Sequence, residues 1–463
     1  MATKSQNSDL SIEGRLEQTL IPNWEEPYRL PKNWCWTKLS IISEFERGIT
    51  FPASAKESSS SLRNIPCLRT ANIQEVLELH DLLFVDRSFM KNNSRKLVCE
   101  NDIIMSTANS RELVGKTSFV HCLSEEMTFG GFVMAIRSRI DPKYLFYFLR
   151  LQFLNGKFME ISTQTTNIAN INSTTLGEIA TPVPPLDEQK RIVARIESLF
   201  LKLDKAKENA QEVVDGLQTR KAAILYKAFS GDLTAKWREK NNRSLDEWEN
   251  KAFDECVEKM QNGLAKRRGE TGVPYVVLRL ANLSDDSFIT DDLREIMLDD
   301  KERKSYKLNV GDVVMIRVNG SKDNVAKQIL VTDNNPWAFC DHIIRIRYNE
   351  CVLPEYAVLF SKSENYKLYV KDNIVSSAGQ NTISRKGMAH LNIPVPQIEE
   401  QREIVRVLSD LFTKEHNVKE TAEAVIDQID TMKKAILARA FRGELGTNDP
   451  NEESALELLK QII

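Results

Sequence analysis

The stretch PVPPLDEQKRIV at residues 182–193 recurs as PVPQIEEQREIV at residues 394–405. Each copy opens a segment of 52 residues, and the two segments, 182–233 and 394–445, align without a gap at an offset of 212 positions. They end in KAAILYKAFSGDL and KKAILARAFRGEL, and 24 of the 52 positions are identical. Internal repeats of this quality define the architecture of a chain. The sequence therefore contains one structural arrangement twice.

The repetition extends upstream at nearly the same offset. LRTANI at Leu68–Ile73 corresponds to LRLANL at Leu278–Leu283, and NDIIMS at Asn101–Ser106 corresponds to GDVVMI at Gly311–Ile316. Each copy is thus a variable unit of about 150 residues followed by a far more similar unit of about 55. The predicted organisation is an N-terminal segment 1–26, a first variable domain 27–180, a central helical region 181–240, a second variable domain 241–392 and a C-terminal helical region 393–463.

Each similar unit is predicted to form a long helix. In the first, apolar residues alternate spacings of four and three at Ile192, Ile196, Leu199, Leu203, Ala206, Ala210, Val213 and Leu217. The same phase in the second gives Ile404, Leu408, Leu411, Val418, Ala422, Val425 and Ile429, with Glu415 as the one interruption. Heptads sustained in this way are typical of a coiled coil, although an ordinary core helix is the alternative. Because both patterns share one register, we expect the helices to pair with each other, antiparallel if a pseudo-twofold axis relates the repeats.

The variable units have the pattern of mixed helix and sheet. Short β-branched runs such as Asp102–Met105 and Asp312–Ile316 resemble strands. Asp141–Leu154 and Leu353–Tyr369 have helical spacing of apolar residues, each with a proline near its start. Ser454–Glu457 has the spacing of a capping box that opens a short amphipathic helix. The predicted fold class is α+β: two tandem domains, each followed by a long helix, with the two helices pairing as an antiparallel coiled coil.

Composition excludes several classes of protein. Lys and Arg total 63 against 66 Asp and Glu, so the net charge of -3 excludes a simple polybasic nucleic-acid binder, although not local basic patches. Hydrophobic residues make up 41%, which is enough for folded cores. The seven cysteines form no Cys-x-x-Cys pair and indicate reduced, intracellular thiols. No signal peptide or long apolar run is visible, so we expect a soluble cytoplasmic protein with no membrane span.

The sequence offers little that points to catalysis. Ser110–Thr117 ends like a phosphate-binding loop but has serine where that motif needs its first glycine. The five histidines lie far apart, and Cys340-Asp-His342 is the nearest approach to a metal-ligand set, more simply explained as a strand edge. Hydrolase, metalloprotease and nucleotide-binding signatures are missing. We therefore predict no catalytic residue, no metal site and no cofactor in this chain.

The variable units do carry residue types that contact DNA. Arg can form paired hydrogen bonds with guanine and Asn or Gln with adenine, while Lys and Ser commonly bind phosphate. In the first unit the predicted contacts are Arg47, Lys56, Arg63, Arg69, Asn72, Ser106, Asn109, Ser110, Arg111 and Lys116. In the second they are Gln261, Asn262, Lys266, Arg267, Arg268, Arg279, Asn282, Arg317, Asn319, Ser321, Lys322 and Lys327. Solvated surface is the alternative for any one of them.

The charge balance differs between the two units. Residues 27–140 contain 15 basic and 12 acidic residues, whereas residues 244–350 contain 16 basic and 20 acidic. The second unit would therefore have to gather its basic residues on one face to bind DNA. Because equivalent loops carry different polar side chains, the pattern suggests two units that read different sequences.

The duplicated PxPPLxEQ, long helix and KAxxxxAFxGxL arrangement resembles the specificity subunits of type I restriction-modification enzymes. LRTANIQ, LVGKTSF and GGFVMAI in the first variable unit and LPEY in the second add to the resemblance, which covers essentially the whole chain. It implies two target-recognition domains, each reading one half of a split site on double-stranded DNA. It also implies that the helices 186–229 and 398–441 set the spacing between the half-sites and dock two copies of an adenine-N6 methyltransferase subunit.

The resemblance places the chemistry in partner subunits. S-adenosylmethionine would bind to the methyltransferase subunits, and two motor-nuclease subunits are further candidate partners. The loops expected to face DNA are Arg47–Lys56, Thr107–Lys116, Gln261–Arg268 and Arg317–Lys327. One departure is Asn167-Ile-Ala, where the second repeat has Gly379-Gln-Asn.

Our main hypothesis is a non-catalytic DNA-recognition subunit. The alternative is a coiled-coil protein-interaction scaffold without sequence-specific DNA binding, which predicts no salt-dependent DNA affinity. A third reading, a fragment of a fused modification enzyme, is disfavoured by the missing catalytic motifs.

Overall fold

The computed structural model describes residues 11–165, 168–266, 269, 271–377 and 379–463, and the chain divides into two compact units. The first unit joins residues up to 209 with residues 425–463, and the second is the continuous stretch 210–424. Each unit therefore contains one variable domain, the start of the long helix that follows that domain, and the end of the other long helix.

The two long helices predicted from the heptads are present. They run over Leu186–Phe229, with 44 residues, and Ile398–Ala440, with 43. Acidic residues occupy the first turn of each helix and a basic residue the last, which suits the helix dipole. The second helix ends one residue before the predicted 441.

The two helices pack against each other in both units. In the first unit, Lys207 Nζ lies 3.3 Å from Asp430 Oδ1 and Lys433 Nζ lies 2.5 Å from Asp204 Oδ1. Residue numbers therefore rise along one helix as they fall along the other. In the first unit's core, Ile192, Ile196 and Phe200 share a cluster with Leu437, Ala440 and Phe441.

The second unit shows the same opposed direction. Its core joins Leu225, Ala228 and Phe229 with Ile404 and Leu408. Glu415, the polar residue that interrupts the heptads, has a partner on the other helix: its Oε2 accepts a hydrogen bond from Arg220 Nε at 3.2 Å.

Burial along the predicted seam varies with position. Ile192, Ile196, Ile404, Leu408 and Ile429 are buried. The half-buried seam positions are Leu199, Leu203, Val213, Leu217 and Leu411.

The predicted seam positions Val418 and Val425 are corrections. Their side chains are 46% and 38% exposed, whereas Ile426, next to Val425, is half-buried. A straight α-helix has 3.6 residues per turn rather than 3.5, so a strict heptad drifts off the contact face. The buried face therefore lies one residue further on at this point.

The first variable domain, as far as it is described, contains four small sheets. Its largest sheet has antiparallel strands in the order Ser43–Arg47, Val133–Ser138, Ile103–Ser106 and Thr117–Phe119. The other sheets are Leu83–Asp86 with Asn64–Leu68 and Thr128–Phe129, Thr163–Thr165 with Ile168–Asn170 and Ala108–Asn109, and Cys35–Lys38 with Ala180–Val183.

The second variable domain has the same sheets in the same order. Its largest sheet contains Val257–Asn262, Ile343–Tyr348, Val313–Ile316 and Gln328–Leu330. The other sheets are Glu295–Leu298 with Val273–Leu278 and Trp337–Phe339, Val318–Asn319 with Gln380–Thr382 and Val375–Ser377, and Glu249–Ala252 with Asn392–Val395. Two tandem domains of mixed helix and sheet are thus confirmed.

A helix packs against the largest sheet of each domain. The first domain has Pro142–Leu154 and Lys157–Ile161, and Asp141 caps the former by accepting a hydrogen bond from Tyr144 N at 2.9 Å. The remaining helical segments are Ile12–Thr19, Asn23–Glu25, Leu39–Ile42, Ala53–Ala55, Thr70–Asn72, Arg87–Met90, Ser94–Lys96, Ser173–Gly177, Asp232–Thr234, Ala235–Lys240, Leu245–Glu247, Phe253–Cys256, Leu280–Asn282, Asp300–Tyr306, Lys322–Asn324, Arg385–Met388 and Ala455–Ile462.

One predicted helix is divided in the structure. Leu353–Tyr369 becomes Pro354–Phe360 and Glu364–Asn373. Ser363 Oγ accepts a hydrogen bond from Tyr366 N at 3.3 Å, and this N-cap starts a new helix inside a stretch whose apolar spacing is continuous.

The predicted capping box forms only in part. Ser454 caps the helix Ala455–Ile462, but the Glu457 side chain bonds to Lys460 instead of reaching back to Ser454.

The repeated Glu-Gln pair explains why the start of the long helix is so similar in the two copies. We call Trp34, Glu188 and Gln189 the first helix-start cluster. Trp34 Nε1 donates to Glu188 Oε2 at 2.8 Å, and Gln189 Nε2 donates to Pro184 O at 2.9 Å. These buried side chains bind the variable domain to the first turn of its own helix.

The second helix-start cluster, Trp248, Glu400 and Gln401, has the same bonds. Trp248 Nε1 donates to Glu400 Oε2 at 2.9 Å, and Gln401 Nε2 donates to Pro396 O at 2.8 Å. Both clusters also receive donors from the segment that follows the other long helix. In the first unit Asn448 Nδ2 donates to Glu188, and in the second unit Thr234 Oγ1 donates to Glu400.

Candidate nucleic-acid interface

Loops at one edge of the first domain's largest sheet are held together by backbone bonds. Thr107 N donates to Phe132 O at 2.9 Å, and Ile171 N donates to Thr107 O at 2.9 Å. Arg47 Nε donates to Gly131 O at 3.3 Å. We call this region the first loop edge; it comprises Arg47, Thr107–Ser110, Gly131, Phe132 and the hairpin strands Thr163–Thr165 and Ile168–Asn170.

The second domain builds an equivalent edge with the same backbone bonds. Arg317 N donates to His342 O at 2.8 Å, and Ile383 N donates to Arg317 O at 3.0 Å. The Arg317 guanidinium also donates to Asp341 O at 3.2 Å. The second loop edge comprises Asn262, Arg317–Ser321, Asp341, His342 and the hairpin strands Val375–Ser377 and Gln380–Thr382.

A close backbone approach fixes each edge. A Cβ added to Gly48 would lie 2.1 Å from Gly130 O, and one added to Gly263 would lie 2.1 Å from Cys340 O. Only glycine allows the strand end to pass so near the turn that carries the edge. Both domains therefore use the same geometry at this point.

The side chains on the shared frame differ. Arg47 lies opposite Met134 in its sheet, and Asn262 lies opposite Ile344, the residue 210 positions after Met134. By the same correspondence, the differing pairs are Arg47 and Asn262, Thr107 and Arg317, Gly131 and Asp341, and Phe132 and His342. One frame thus presents two different sets of hydrogen-bonding and apolar groups.

Asn72 and Asn282 are not placed as the sequence suggested. Both were predicted to face DNA, but their side chains are only 3% and 1% exposed. Asn72 Oδ1 accepts from Arg69 N at 2.9 Å, and its Nδ2 donates to Glu78 O at 3.1 Å. The amides are buried because they hold a loop together, which explains why LRTAN and LRLAN are so similar.

The arginines of the same motif have partners within their loops. Arg69 pairs with Asp81 at 3.1 Å, and Arg279 pairs with Asp292 at 2.8 Å. Both guanidiniums remain partly exposed, so their DNA contacts stay predictions.

Three of the predicted lysines are also engaged. Lys116 bonds to Gln74, Lys266 pairs with Glu302 at 2.9 Å, and Lys327 pairs with Asp285 at 2.5 Å. The hydrogen bond and charge of Lys327 lower the pKa of Asp285. Acidic residues of the second domain thus lie beside its predicted DNA-binding cations, and part of its negative balance is neutralised there.

Other predicted contacts are open to solvent. Lys56, Arg111 and Lys322 are exposed, and none bonds through its side chain to a residue that the structure describes. Asn109 and Asn319 are half-buried, and each accepts a hydrogen bond from the backbone of its own loop, at 2.8 and 2.9 Å. Arg267 and Arg268 lie outside the described residues.

Further predicted positions have local roles. Ser106 is buried and bonds to Asn109 Nδ2 at 3.2 Å, whereas Arg63 and Ser321 are exposed. Gln261 accepts a hydrogen bond from Arg345 at 2.5 Å. Ser110 N donates to Asn109 Oδ1, which shapes the turn that follows the strand.

The sequence analysis missed the hairpins and Phe132. One strand of each hairpin pairs with the edge: Ile168–Asn170 pairs with Ala108–Asn109 in the first domain, and Gln380–Thr382 pairs with Val318–Asn319 in the second. Their signal was weak because these short strands are mostly polar Thr, Ser, Gln and Asn residues with a few apolar ones, and they contain no chemical motif. Asn167, the position of the noted departure, lies outside the described residues, and Gly379 has a positive φ of 77°.

One trio of side chains brings metal-ligand atoms together. The donor atoms of Cys340, Asp341 and His342 all lie within 4.8 Å of one another. Asp341 Oδ1 lies 3.3 Å from His342 Nδ1, an arrangement that also orients the imidazole without any ion. The predicted lack of a metal site stays a prediction.

Comparison with known proteins assigns the chain to a class. A family model described as type I restriction modification DNA specificity domain matches residues 31–213 and 298–427. The chain belongs to this family, which confirms the resemblance seen in the sequence. None of the helices in the described ranges is long and apolar enough to cross a membrane.

Particular relatives extend over nearly the whole chain. The type I restriction enzyme StySPI specificity subunit of Salmonella potsdam is 32% identical over 90% of this chain and 90% of its own length. The EcoKI specificity subunit of Escherichia coli strain K12 is 28% identical over 94% of this chain and 96% of its own. The HsdS subunit from Thermoanaerobacter tengcongensis superimposes with a TM-score of 0.60 at 18% identity, over 91% of this chain and 99% of its own, which shows a shared fold.

Proposed function

We propose that this chain is the DNA sequence-recognition subunit of a type I restriction-modification complex. It reads a bipartite site on double-stranded DNA, one half with each target-recognition domain. The observation that carries the proposal is the pair of loop edges, which share backbone bonds but differ in side chains, in a member of a DNA specificity family. Two readers built on one frame suit two different half-sites.

The paired long helices would set the distance between the half-sites. In each unit they run in opposite directions, with ion pairs between their facing residues. A pairing continued along both helices forms an antiparallel coiled-coil spacer, and its length is fixed because each residue of a helix adds about 1.5 Å.

The long helices offer exposed apolar side chains in each unit. Leu201 and Met432 are exposed in the first unit, and Tyr226 and Val418 are exposed in the second. Exposed apolar side chains on helices suit a protein interface. We assign the helices of the two units to two copies of an adenine-N6 methyltransferase subunit, with motor-nuclease subunits as further partners.

Chemistry would reside in those partners. S-adenosylmethionine would bind to the methyltransferase subunits, because adenine must leave the base stack before its amino group can be methylated. This chain would bind and orient the DNA, and no catalytic residue is assigned to it. A cytoplasmic location follows from that role.

The experiment that tests DNA reading uses the full chain together with its methyltransferase subunits. A library of duplexes with randomised positions is bound, and the bound fraction is sequenced. We expect two preferred blocks separated by a fixed gap. We also expect an affinity that falls roughly a thousandfold between about 50 and 200 mM salt if six phosphates are contacted. A lack of sequence preference together with salt-independent binding would favour the interaction scaffold.

The spacer is tested by shortening both helices by one heptad. Removal of residues 212–218 and 418–424 leaves the Lys207–Asp430 and Arg220–Glu415 ion pairs in place. Seven residues correspond to about 10 Å, so the preferred gap is expected to shorten by about three base pairs. Deletion of 212–218 alone is the control, because it puts the facing residues out of register. An unchanged gap in the double deletion would contradict the spacer.

A further inference from the structure

Phe132 is an exposed aromatic residue on a rigid turn. Its side chain is 61% exposed, although the next residue, Val133, is completely buried. Val133 N donates to Gly130 O at 2.8 Å, and Thr107 N donates to Phe132 O at 2.9 Å. The backbone on both sides of the ring is therefore fixed before any ligand binds.

Phe132 shares the first loop edge with several polar residues. Arg47 donates to the carbonyl of the preceding residue, Gly131, and Asn109 follows Thr107 by two positions. Burial of a phenylalanine side chain stabilises a protein or a complex, and Phe132 leaves most of that stabilisation unused. An exposed apolar residue is common on protein surfaces, but an aromatic one fixed by backbone bonds beside polar recognition residues resembles a binding anchor.

The equivalent residue in the second domain has different chemistry. His342 occupies the place of Phe132, and its backbone carbonyl accepts the corresponding bond from Arg317 N at 2.8 Å. Its Nδ1 lies 3.3 Å from Asp341 Oδ1, so the imidazole is oriented by a carboxylate and can use its other nitrogen for a hydrogen bond. The position changes from apolar to hydrogen-bonding while the frame stays the same.

We propose that Phe132 is a specificity-determining residue of the first domain and packs against the methyl group of a thymine in the major groove. This inference rests on the proposed function, because it requires that the first loop edge faces DNA. A phenyl ring neither donates nor accepts a conventional hydrogen bond, and the thymine methyl is the apolar group that base pairs present in the major groove. His342 reads a hydrogen-bonding base edge in the other half-site.

The test compares Phe132→Ala with the unchanged protein in the full complex. The randomised duplex library first identifies the preferred site. Each thymine of that site is then replaced in turn by deoxyuridine, which lacks the methyl group. At one thymine of one half-site we expect the unchanged protein to lose about fourfold in affinity, the value for one buried methyl-sized group. Phe132→Ala is expected to bind roughly tenfold more weakly and to show no further loss at that position.

Matched variants separate this effect from general damage. Trp24→Ala removes another largely exposed aromatic side chain, outside the loop edge, and is expected to keep the full sequence preference. His342→Ala is expected to alter only the other half-site, and Phe132→Leu is expected to retain part of the thymine preference. Thermal unfolding of each variant confirms that it folds.

Two outcomes would overturn the inference. Equal loss on deoxyuridine in the unchanged protein and in Phe132→Ala would show that the ring does not contact the methyl group. An unchanged preference in Phe132→Ala at every position would remove its role in specificity. If the unchanged complex itself shows no sequence preference, the proposed function fails instead, and that result is seen before any variant is made.

Discussion

The two copies of the repeat are alike in different ways at the helix-start clusters and at the loop edges. The clusters repeat the same side chains with the same bonds: Trp34 and Trp248, Glu188 and Glu400, Gln189 and Gln401. The loop edges repeat their backbone bonds and one side-chain bond, at Asn109 and Asn319, but differ in most other side chains. Side chains are therefore kept where they hold a helix to its domain, and many of them vary where backbone bonds maintain most of the shape.

The clusters themselves differ in one respect. Glu400 lies within hydrogen-bond distance of the Arg238 guanidinium, and their side chains are only 4% and 8% exposed. Among the residues that the structure describes, none places a buried cation on Glu188, which accepts hydrogen bonds from Asn448 and Trp34. Burial raises the pKa of Glu188. One cluster thus depends on a buried ion pair and the other on neutral donors.

Breaking the buried ion pair is expected to have the largest effect. Glu400→Gln leaves Arg238 buried without its carboxylate, so the free energy of unfolding of the second unit is expected to fall by about 3–5 kcal/mol. Urea denaturation of the full chain, followed by Trp fluorescence, measures this loss.

The control for this variant replaces both partners. Glu400→Gln combined with Arg238→Met removes the uncompensated charge and is expected to recover most of the lost free energy. A loss below about 1 kcal/mol in Glu400→Gln alone would show that the pair contributes little.

A change at the second loop edge is expected to have an intermediate effect. Arg317→Ala removes a guanidinium, and the equivalent residue of the first domain, Thr107, has none. The discrimination between correct and incorrect base pairs is therefore expected to weaken by about 1–3 kcal/mol at one half-site only. Binding of duplexes that carry single base changes in each half-site measures it.

Lys322→Ala is the matched comparison for Arg317→Ala. Lys322 is exposed on the same segment, and as a phosphate contact it would weaken binding to all sequences and reduce the salt slope by about one. A uniform loss in Arg317→Ala would reassign that residue to phosphate.

The smallest effect is expected at the neutral cluster. Glu188→Gln keeps an acceptor for Trp34 and Asn448, so stability at pH 7 is expected to change by less than about 1 kcal/mol. The pKa of Glu188 is raised in the folded chain. Its favourable contribution to the free energy of unfolding is therefore complete below the ordinary pKa of 4.5 and is lost as the pH rises through the raised pKa.

The pH dependence distinguishes the two clusters further. Glutamine resembles the protonated acid, so Glu188→Gln is expected to be at least as stable as the unchanged protein at neutral pH, and this advantage is expected to vanish near pH 4.5. Unfolding measured between these pH values tests the sign. If the variant becomes less stable relative to the unchanged protein as the pH rises, the raised pKa is contradicted.

The sequence predicted features whose causes are local or repeated. Heptad spacing predicted the long helices, since the pattern depends on neighbours three and four residues apart. Duplication predicted the paired domains. The division of Leu353–Tyr369 into two helices was missed because a capping serine, Ser363, outweighs apolar spacing at that point.

The candidate site was predicted less well because it depends on distant pairing. Thr107 contacts Phe132 through the backbone, and Ala169 pairs with Asn109, although neither partner is near in sequence. Residue type alone predicted that Asn72 contacts DNA, but its amide forms hydrogen bonds with the backbone of its own loop. Chemical character identifies what a residue can bind, whereas the fold decides which surface it reaches.

The division of the chain into two units affects the order in which they can fold during synthesis. The second unit is one continuous stretch, while the first unit needs residues 425–463, including Ala455–Ile462, whose Leu459 shares a core with Leu16. Arg15 also donates to Ile463 O at 3.2 Å. A ribosome delivers the chain from its N-terminus, so the second unit can close while the first still awaits its last core residues. The half that is made first is therefore completed last.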